Sequence, residues 1–366
     1  MQKKWMLVVL AGLFAEGAMA ESNVTIYGIV DAGMSVFSDA NKTGVASQTA
    51  INSGQWKSSR LGFKGSEDLG NGWKTSFQVE SSFAIDVHSS LENRNSWVGV
   101  SHANYGELRA GSVSSFHDDL LGATSAAFGN GTVASPLRTY IEATGHAEGS
   151  EFRNALAYYS PNWSGLQLKL GLSTHADPKT DDVVPSGLTG ATGNERVVTA
   201  AVHYTNGPLV AGASYETNRY QSYSGAPSID SGNEWNVAAA YNFGPVRLGG
   251  AVGRINYAQN PNEAKDDRRQ WQLTASMPLG ERDLISLAYA RARVTYNTGA
   301  DSDTAKYWGV GYLHTLSKRS SLYAAYGNIS QSDSALVKSR LDGSTTTGST
   351  SAGYQKAFQI GLRHDF

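Results

Sequence analysis

Leu166-Gln167-Leu168-Lys169-Leu170-Gly171-Leu172-Ser173 places a leucine at every second position and a polar or small residue between. Side chains of an extended strand alternate between two faces, so this octapeptide presents one apolar and one polar face. The pattern recurs: Trp271, Leu273, Ala275, Met277 and Leu279 alternate with Gln270, Gln272, Thr274, Ser276 and Pro278. Likewise Trp235, Val237, Ala239, Tyr241 and Phe243 alternate with Asn236, Ala238, Ala240 and Asn242. Period two of this kind reads as strands lying between two environments.

Turn chemistry punctuates these strands at Asn71-Gly72, Asn104-Tyr105-Gly106, Asn162-Trp163-Ser164-Gly165, Asn206-Gly207-Pro208, Asn242-Phe243-Gly244-Pro245, Pro278-Leu279-Gly280 and Leu316-Ser317-Lys318-Arg319. Asn and Gly tolerate the left-handed backbone of tight hairpins. Most neighbouring turns lie 33 to 44 positions apart, the length of a strand, a loop and a returning strand. The interval from Asn104 to Asn162 is longer, at 58. Seven turns and two chain ends predict sixteen strands, which at about 10 residues each use about 160 positions.

Residues 1–20 stand apart. Lys3 and Lys4 precede an apolar run from Trp5 to Ala15, and Ala18-Met19-Ala20 closes it, the order of a cleaved secretory signal peptide. The run is shorter than the ~20 apolar residues that span a bilayer as a helix. Removing it leaves 28 basic and 31 acidic residues where the full chain of 366 has 30 and 32. So nearly balanced a charge gives no reason to expect a nucleic-acid partner. The absence of Cys excludes a disulfide scaffold, a thiolate metal site and a cysteine nucleophile. A mean hydropathy of −0.33 has the look of a water-soluble chain, but averaging over alternating faces cancels apolar against polar.

A soluble sandwich would turn the apolar faces into a core. Its outside would then be wholly hydrophilic, since the polar faces combine Lys, Arg, Gln and Asn. Aromatic residues also gather near the turns, at Trp73, Trp163, Tyr241, Phe243, Tyr326 and Tyr354, where a membrane-interface girdle would put them. The chain ends Ala357-Phe358-Gln359-Ile360-Gly361-Leu362-Arg363-His364-Asp365-Phe366. Phe358, Ile360, Leu362 and Phe366 share one face, as the closing strand of a lipid-facing barrel requires.

Val24-Thr25-Ile26-Tyr27-Gly28-Ile29-Val30-Asp31-Ala32-Gly33, Ser59-Arg60-Leu61-Gly62-Phe63-Lys64-Gly65-Ser66-Glu67-Asp68-Leu69-Gly70-Asn71-Gly72, Asn93-Arg94-Asn95-Ser96-Trp97-Val98-Gly99-Val100 and the terminal Phe366 resemble the Gram-negative general porins, particularly those of β-proteobacteria. The resemblance runs from about Val24 to Phe366. It implies an all-β fold over residues 21–366: a 16-stranded antiparallel transmembrane β-barrel whose inward-folded third external loop, roughly residues 113–150, narrows a water-filled channel. It further implies a homotrimer in the cell outer membrane, in contact with outer-membrane lipid and lipopolysaccharide. The barrel-assembly machinery would read Phe358, Ile360, Leu362 and Phe366 as its C-terminal signal. Small ions and hydrophilic solutes would be the cargo, with no cofactor and no catalysis. The Pro-Glu-Phe-type motif at this loop's tip in enterobacterial porins is absent here.

Alternation assigns side chains to the lumen. Leu61 and Phe63 take the lipid face, so Arg60, Gly62 and Lys64 point inward; Phe77, Val79 and Phe83 face lipid, so Lys74, Gln78 and Glu80 point inward. By resemblance, the basic cluster of the constriction maps to Arg60, Arg94 and Arg153. Asp118, Asp119 and Glu142, with Glu148 and Glu151, are the acidic candidates opposite. Opposed charges would set a transverse field across the channel, and the basic wall of the constriction, Lys64 and Lys74 together with the three arginines, implies mild anion preference.

Catalytic readings are weaker. The eight His are scattered without a His-Glu-x-x-His helix, and no Ser stands in a Gly-x-Ser-x-Gly elbow. His117 beside Asp118 and Asp119 has the residue types of acid/base chemistry but reads as polar loop. Asp301-Ser302-Asp303 begins like a calcium loop without its sixth-position Gly or closing Glu. Alternatives to a general diffusion channel are a channel specific for a sugar or organic anion and, behind it, an outer-membrane hydrolase.

Overall fold

The computed structural model describes residues 23–40, 47–88, 91–126, 132–136, 151–173, 195–220, 232–257, 266–295, 302–331 and 354–366. Residues 1–20, and with them the expected signal peptide, lie outside these. The strands are β1 (Asn23–Ala40), β2 (Gln48–Ser53), β3 (Arg60–Gly70), β4 (Trp73–Ser82), β5 (Glu92–His102), β6 (Gly106–Ser114), β7 (Glu151–Tyr159), β8 (Leu166–Ser173) and β9 (Glu195–Asn206). The series continues with β10 (Leu209–Tyr220), β11 (Gly232–Asn242), β12 (Arg247–Tyr257), β13 (Asp266–Leu279), β14 (Asp283–Thr295), β15 (Asp303–Thr315), β16 (Ser320–Gln331) and β17 (Tyr354–Asp365). One helix, α1 (Phe116–Thr124), follows β6.

All seventeen segments join one antiparallel sheet, and pairing of β1 with β17 closes it into a barrel. The closing register runs from Ile29↔Asp365 to Ala40↔Tyr354. Below it Gly28 and Phe366 exchange two backbone hydrogen bonds of 3.1 Å. The barrel has sixteen staves because β2 and β3 are two halves of one: β2 pairs with residues 32–37 of β1, and β3 with residues 23–29. The seven sequence-derived turns all lie on the rim that also carries both described chain ends, with Asn71 and Gly72 at φ 51° and 81° as a tight hairpin requires. The strand ends that lead into the longer connections lie at the other rim.

The apolar faces point outward. Leu168, Leu170 and Leu172 are exposed, as are Trp235, Val237, Trp271, Leu273 and Met277, and the C-terminal Phe358, Ile360, Leu362 and Phe366. Their alternating partners Gln270, Gln272, Thr274 and Ser276 are buried inside. A barrel that turns apolar side chains out and polar ones in is matched to hydrocarbon outside and water within.

Three features follow from tertiary contacts that alternation alone does not show. Tyr354, expected in the aromatic girdle, is buried against Phe37 with ring centroids 5.5 Å apart. In the long interval Phe116, Leu120 and Leu121 are fully buried where α1 meets β9–β12. Beyond α1 the Ala126 N–H donates to Thr274 Oγ1 at 2.8 Å, the Val133 N–H to Gln359 Oε1 at 2.9 Å, and the Tyr307 hydroxyl to the Val133 carbonyl at 2.7 Å. Those acceptors and donors belong to inner faces, so the described residues 116–126 and 132–136 lie against the inside of the wall. Gly249 and Gly327 give them room, because a Cβ there would collide with the carbonyl oxygens of Thr124 and Val133.

The third feature is the break in the wall at residues 54–59. Asp31, fully buried mid-strand, organises it: its carboxylate accepts the backbone N–H groups of Gln55 (3.0 Å), Trp56 (3.2 Å) and Lys57 (3.3 Å) and the Tyr323 hydroxyl (2.8 Å). Arg363 then stacks over the Trp56 ring at 4.7 Å. Each buried donor left unpaired costs about 1–3 kcal/mol. Asp31→Ala is therefore expected to destabilise the barrel by about 3 kcal/mol or more, read as a lower temperature for loss of the compact electrophoretic form; an unchanged transition would refute the assignment.

Candidate functional site: a charged lumen

Arg60 opens β3 with Gly62 and Lys64 on the inner face, behind outward Phe63. Glu80 shares the inner face of β4 with Gln78. Plain alternation would turn Arg94 outward with Ser96 and the exposed Val98, but a bulge intervenes. The register steps from Val79↔Ser96 to Ser81↔Asn93, so Glu80 stands opposite two residues, Arg94 and Asn95. The extra residue bends the strand and re-aims its side chain inward.

Glu80 Oε1 accepts from Arg94 Nε at 2.9 Å and from Arg60 Nη1 at 3.3 Å, while Oε2 accepts the Tyr27 hydroxyl at 3.0 Å. Arg94 Nη2 also reaches Glu151 Oε1 on β7 at 3.3 Å. The Glu80 side chain is 5% exposed and the two guanidinium side chains 18% and 19%, so the carboxylate is screened while the cations line open space. Two arginines held by one buried carboxylate lose little further side-chain entropy on meeting a passing anion.

The other sequence-derived residues spread along the wall. Lys64 lies four residues from Arg60, roughly 13 Å along the strand, with its ammonium 5.1 Å from the Tyr27 ring centre. Lys74 pairs in register with Asp68 beside the Asn71-Gly72 turn. It sits six residues from Glu80, roughly 20 Å, at the turn rim and apart from the cluster. Arg153 stands at a second bulge, where the register steps between Gly111 and Val113, so alternation does not fix its face. Glu151 belongs to the wall strand β7. Glu142 and Glu148 lie outside the described residues.

Asp118 and Asp119 occupy the first turn of α1, where carboxylates suit the positive end of the helix. Asp119 Oδ2 takes Lys169 Nζ at 2.9 Å on β8, not the Arg60–Arg94 pair. His117 turns away from both to meet Glu234 Oε1 at 2.8 Å, with Asn236 against its ring. Among the described residues no group of three His, Asp or Glu could hold a metal.

Sequence reading missed four cations. Lys57 in the wall break lies within electrostatic reach of Arg363 and Arg60, and Arg363 is paired with Asp365 at 2.8 Å. Arg109 lies between the Trp97 and Tyr159 rings, 3.9 and 4.4 Å from their centres, and is paired with Glu107 at 2.8 Å. With Lys169 these groups border a cavity of about 340 Å³. Alternation of β6 and β8 carried the signal for Arg109 and Lys169; nothing in the local sequence marked the wall break beyond a carboxylate, Asp31, inside an apolar strand.

The family model described as Gram-negative porin matches residues 7–334. The chain belongs to the Gram-negative porins. It is 30% identical to Outer membrane porin protein 32 of Delftia acidovorans over 98% of this chain and 99% of that protein. Among solved structures it is similar to an anion-selective porin from Comamonas acidovorans, with 26% identity, a TM-score of 0.73, and coverage of 94% of this chain and 100% of that one. OmpT of Vibrio cholerae, solved in trimer form, shares the fold at 18% identity and a TM-score of 0.67 over 94% of this chain and 99% of that one. Porins are passive channels of the outer membrane, which is where this chain resides.

In this porin Glu80 neutralises part of the charge of Arg60 and Arg94. Glu80→Gln, which keeps the shape, is expected to raise the anion-to-cation permeability ratio roughly twofold, measured as a reversal potential in a salt gradient. An unchanged potential would put this cluster outside the conduction path.

Proposed function

We propose that this porin is a general diffusion channel with weak anion preference, exported by cleavage of residues 1–20 and assembled as a homotrimer. One observation carries the reading: around Glu80, among the described residues, the five inward-facing cations Lys57, Arg60, Lys64, Arg94 and Arg363 outnumber the four carboxylates Asp31, Glu80, Glu151 and Asp365. A narrow aqueous path with surplus positive charge concentrates anions and repels cations, and the low-dielectric wall strengthens both effects. The inner connection carries α1 against β9–β12, across the barrel from this wall, and so reduces the open cross-section. Resemblance to an anion-selective porin at 26% identity supports the sign, and the trimer form of OmpT supports the assembly. The constriction would comprise Arg60, Arg94 and Arg153 on the wall, with Asp118, Asp119 and Glu142 contributed by the loop.

A second reading, a channel selective for an organic anion, is favoured by Arg109. Its guanidinium is sandwiched by two aromatic rings, and its Nε is buried with no hydrogen-bond partner among the described residues. Saturable block of conductance by an aromatic carboxylate would select it over free diffusion.

Planar-bilayer recording of the purified protein in a salt gradient tests the leading reading. The wild type should give an anion-directed reversal potential, and Arg60→Ala with Arg94→Ala should lower the anion-to-cation ratio roughly twofold or more. A cation-directed wild-type potential would overturn the anion assignment.

A further inference from the structure

The outer face of β12–β15 departs from the apolar rule of the rest of the wall. Arg254 on β12, Arg269 on β13 and Arg293 on β14 stand side by side in one register row. One step nearer the turns, Arg291 on β14 pairs with Lys306 on β15. Registry fixes their direction: Arg254 is opposite the exposed Trp235, Arg291 is opposite the exposed Trp271, and Lys306 lies two residues from the exposed Trp308. All five point away from the channel. Neighbouring strands are ~4.8 Å apart, so the row of three guanidinium groups spans only about 10 Å at its base.

Asp267 fixes two of them, accepting Arg254 Nε at 2.7 Å and Arg269 Nη2 at 3.0 Å, and Ser302 Oγ accepts Arg293 Nη2 at 2.9 Å. Among the described residues of this strip, five cations face one carboxylate. The strip sits at the long-loop end of its strands, three residues from the start of β13 and two from the end of β14. The next outward residues toward the turns are aromatic: Trp271 packs on Tyr289 at 5.3 Å, and Trp308 on Tyr326 at 5.2 Å. Trp235, Trp271, Arg254, Arg269, Arg291 and Arg293 enclose a groove of about 620 Å³.

A cation on the lipid face costs about 2–4 kcal/mol at mid-bilayer and close to nothing at the interface, and tryptophan marks that interface. The strip therefore stands at headgroup level, where it cannot act on permeating ions. Clustered like charges repel unless a counter-charge joins them, and the guanidinium fork matches two oxygens of a phosphate. We propose that this strip is a binding site for the phosphate groups of a phosphorylated lipid in the leaflet at the long-loop rim, seated with its acyl chains on the aromatic row and its phosphates between the arginines.

The test is native mass spectrometry of the intact protein in uncharged detergent, titrated with bisphosphorylated lipid A, with phosphatidylcholine, or with inorganic phosphate. Lipid A should bind in preference to phosphatidylcholine, and Arg269→Ala with Arg291→Ala and Arg293→Ala should weaken it at least about tenfold. Arg269→Lys with Arg293→Lys keeps the charge and loses the fork, and should give an intermediate loss. Bilayer reversal potential and compact electrophoretic mobility should match the wild type in both variants, separating this site from the lumen and from misfolding. Equal lipid A binding by wild type and alanine variant would overturn the proposal. So would binding of inorganic phosphate as tight as lipid A, or loss of the oligomer with lipid binding intact, which would put a second copy on this face.

Discussion

In hydrocarbon every backbone N–H and C=O must find its partner within the protein, and for a sheet that is possible only by closure. The pairing of β1 with β17 is where this constraint is met. It joins residues more than three hundred positions apart, and the Gly28–Phe366 exchange extends the ladder to the last residue of the chain. Closure removes both sheet edges, so no strand is left to pair with another molecule. It also divides space into an inside and an outside, and the alternation of each strand then has only one consistent reading. Apolar Leu168, Leu170 and Leu172 face out because their alternates, Lys169 among them, have water only within.

Having fixed two faces, the barrel uses irregularities to aim charge. A bulge across from Glu80 turns Arg94 into the lumen beside Arg60, and the wall break at residues 54–59 adds Lys57 and the Trp56 platform for Arg363. The break is itself stabilised by a buried carboxylate, Asp31, whose charge is met by three backbone donors and a tyrosine hydroxyl. Such fully partnered buried groups hold one geometry, since any other leaves a polar atom unsatisfied in a low-dielectric wall. Charge that faces outward obeys a different rule: it is confined to headgroup height, as on β12–β15.

Much of the architecture was legible because a membrane simplifies the code. Period-two alternation at Leu166–Ser173 and its repeats, the seven Asn- and Gly-rich turns, and the apolar face ending in Phe366 give strand number, sidedness and closure. Inward placement of Arg60, Lys64, Lys74 and Glu80 also followed from parity. Parity failed at Arg94 and leaves the face of Arg153 open, because one inserted residue reverses the faces and a bulge leaves no local mark. It also could not tell depth, so Lys74 was grouped with residues about 20 Å away along the strand.

What the sequence determined by itself is the barrel: short-range alternation and turn chemistry are local properties, and the bilayer allows only one way to satisfy them. What only the tertiary structure decided is which charges meet. Glu80 with Arg60 and Arg94, Asp119 with Lys169, and Asp31 with its donors and Tyr323 come from segments up to 292 residues apart. Their encounters depend on register, bulges and the inner path of the connection after β6, which arise from the packing of many strands and from no single stretch of chain.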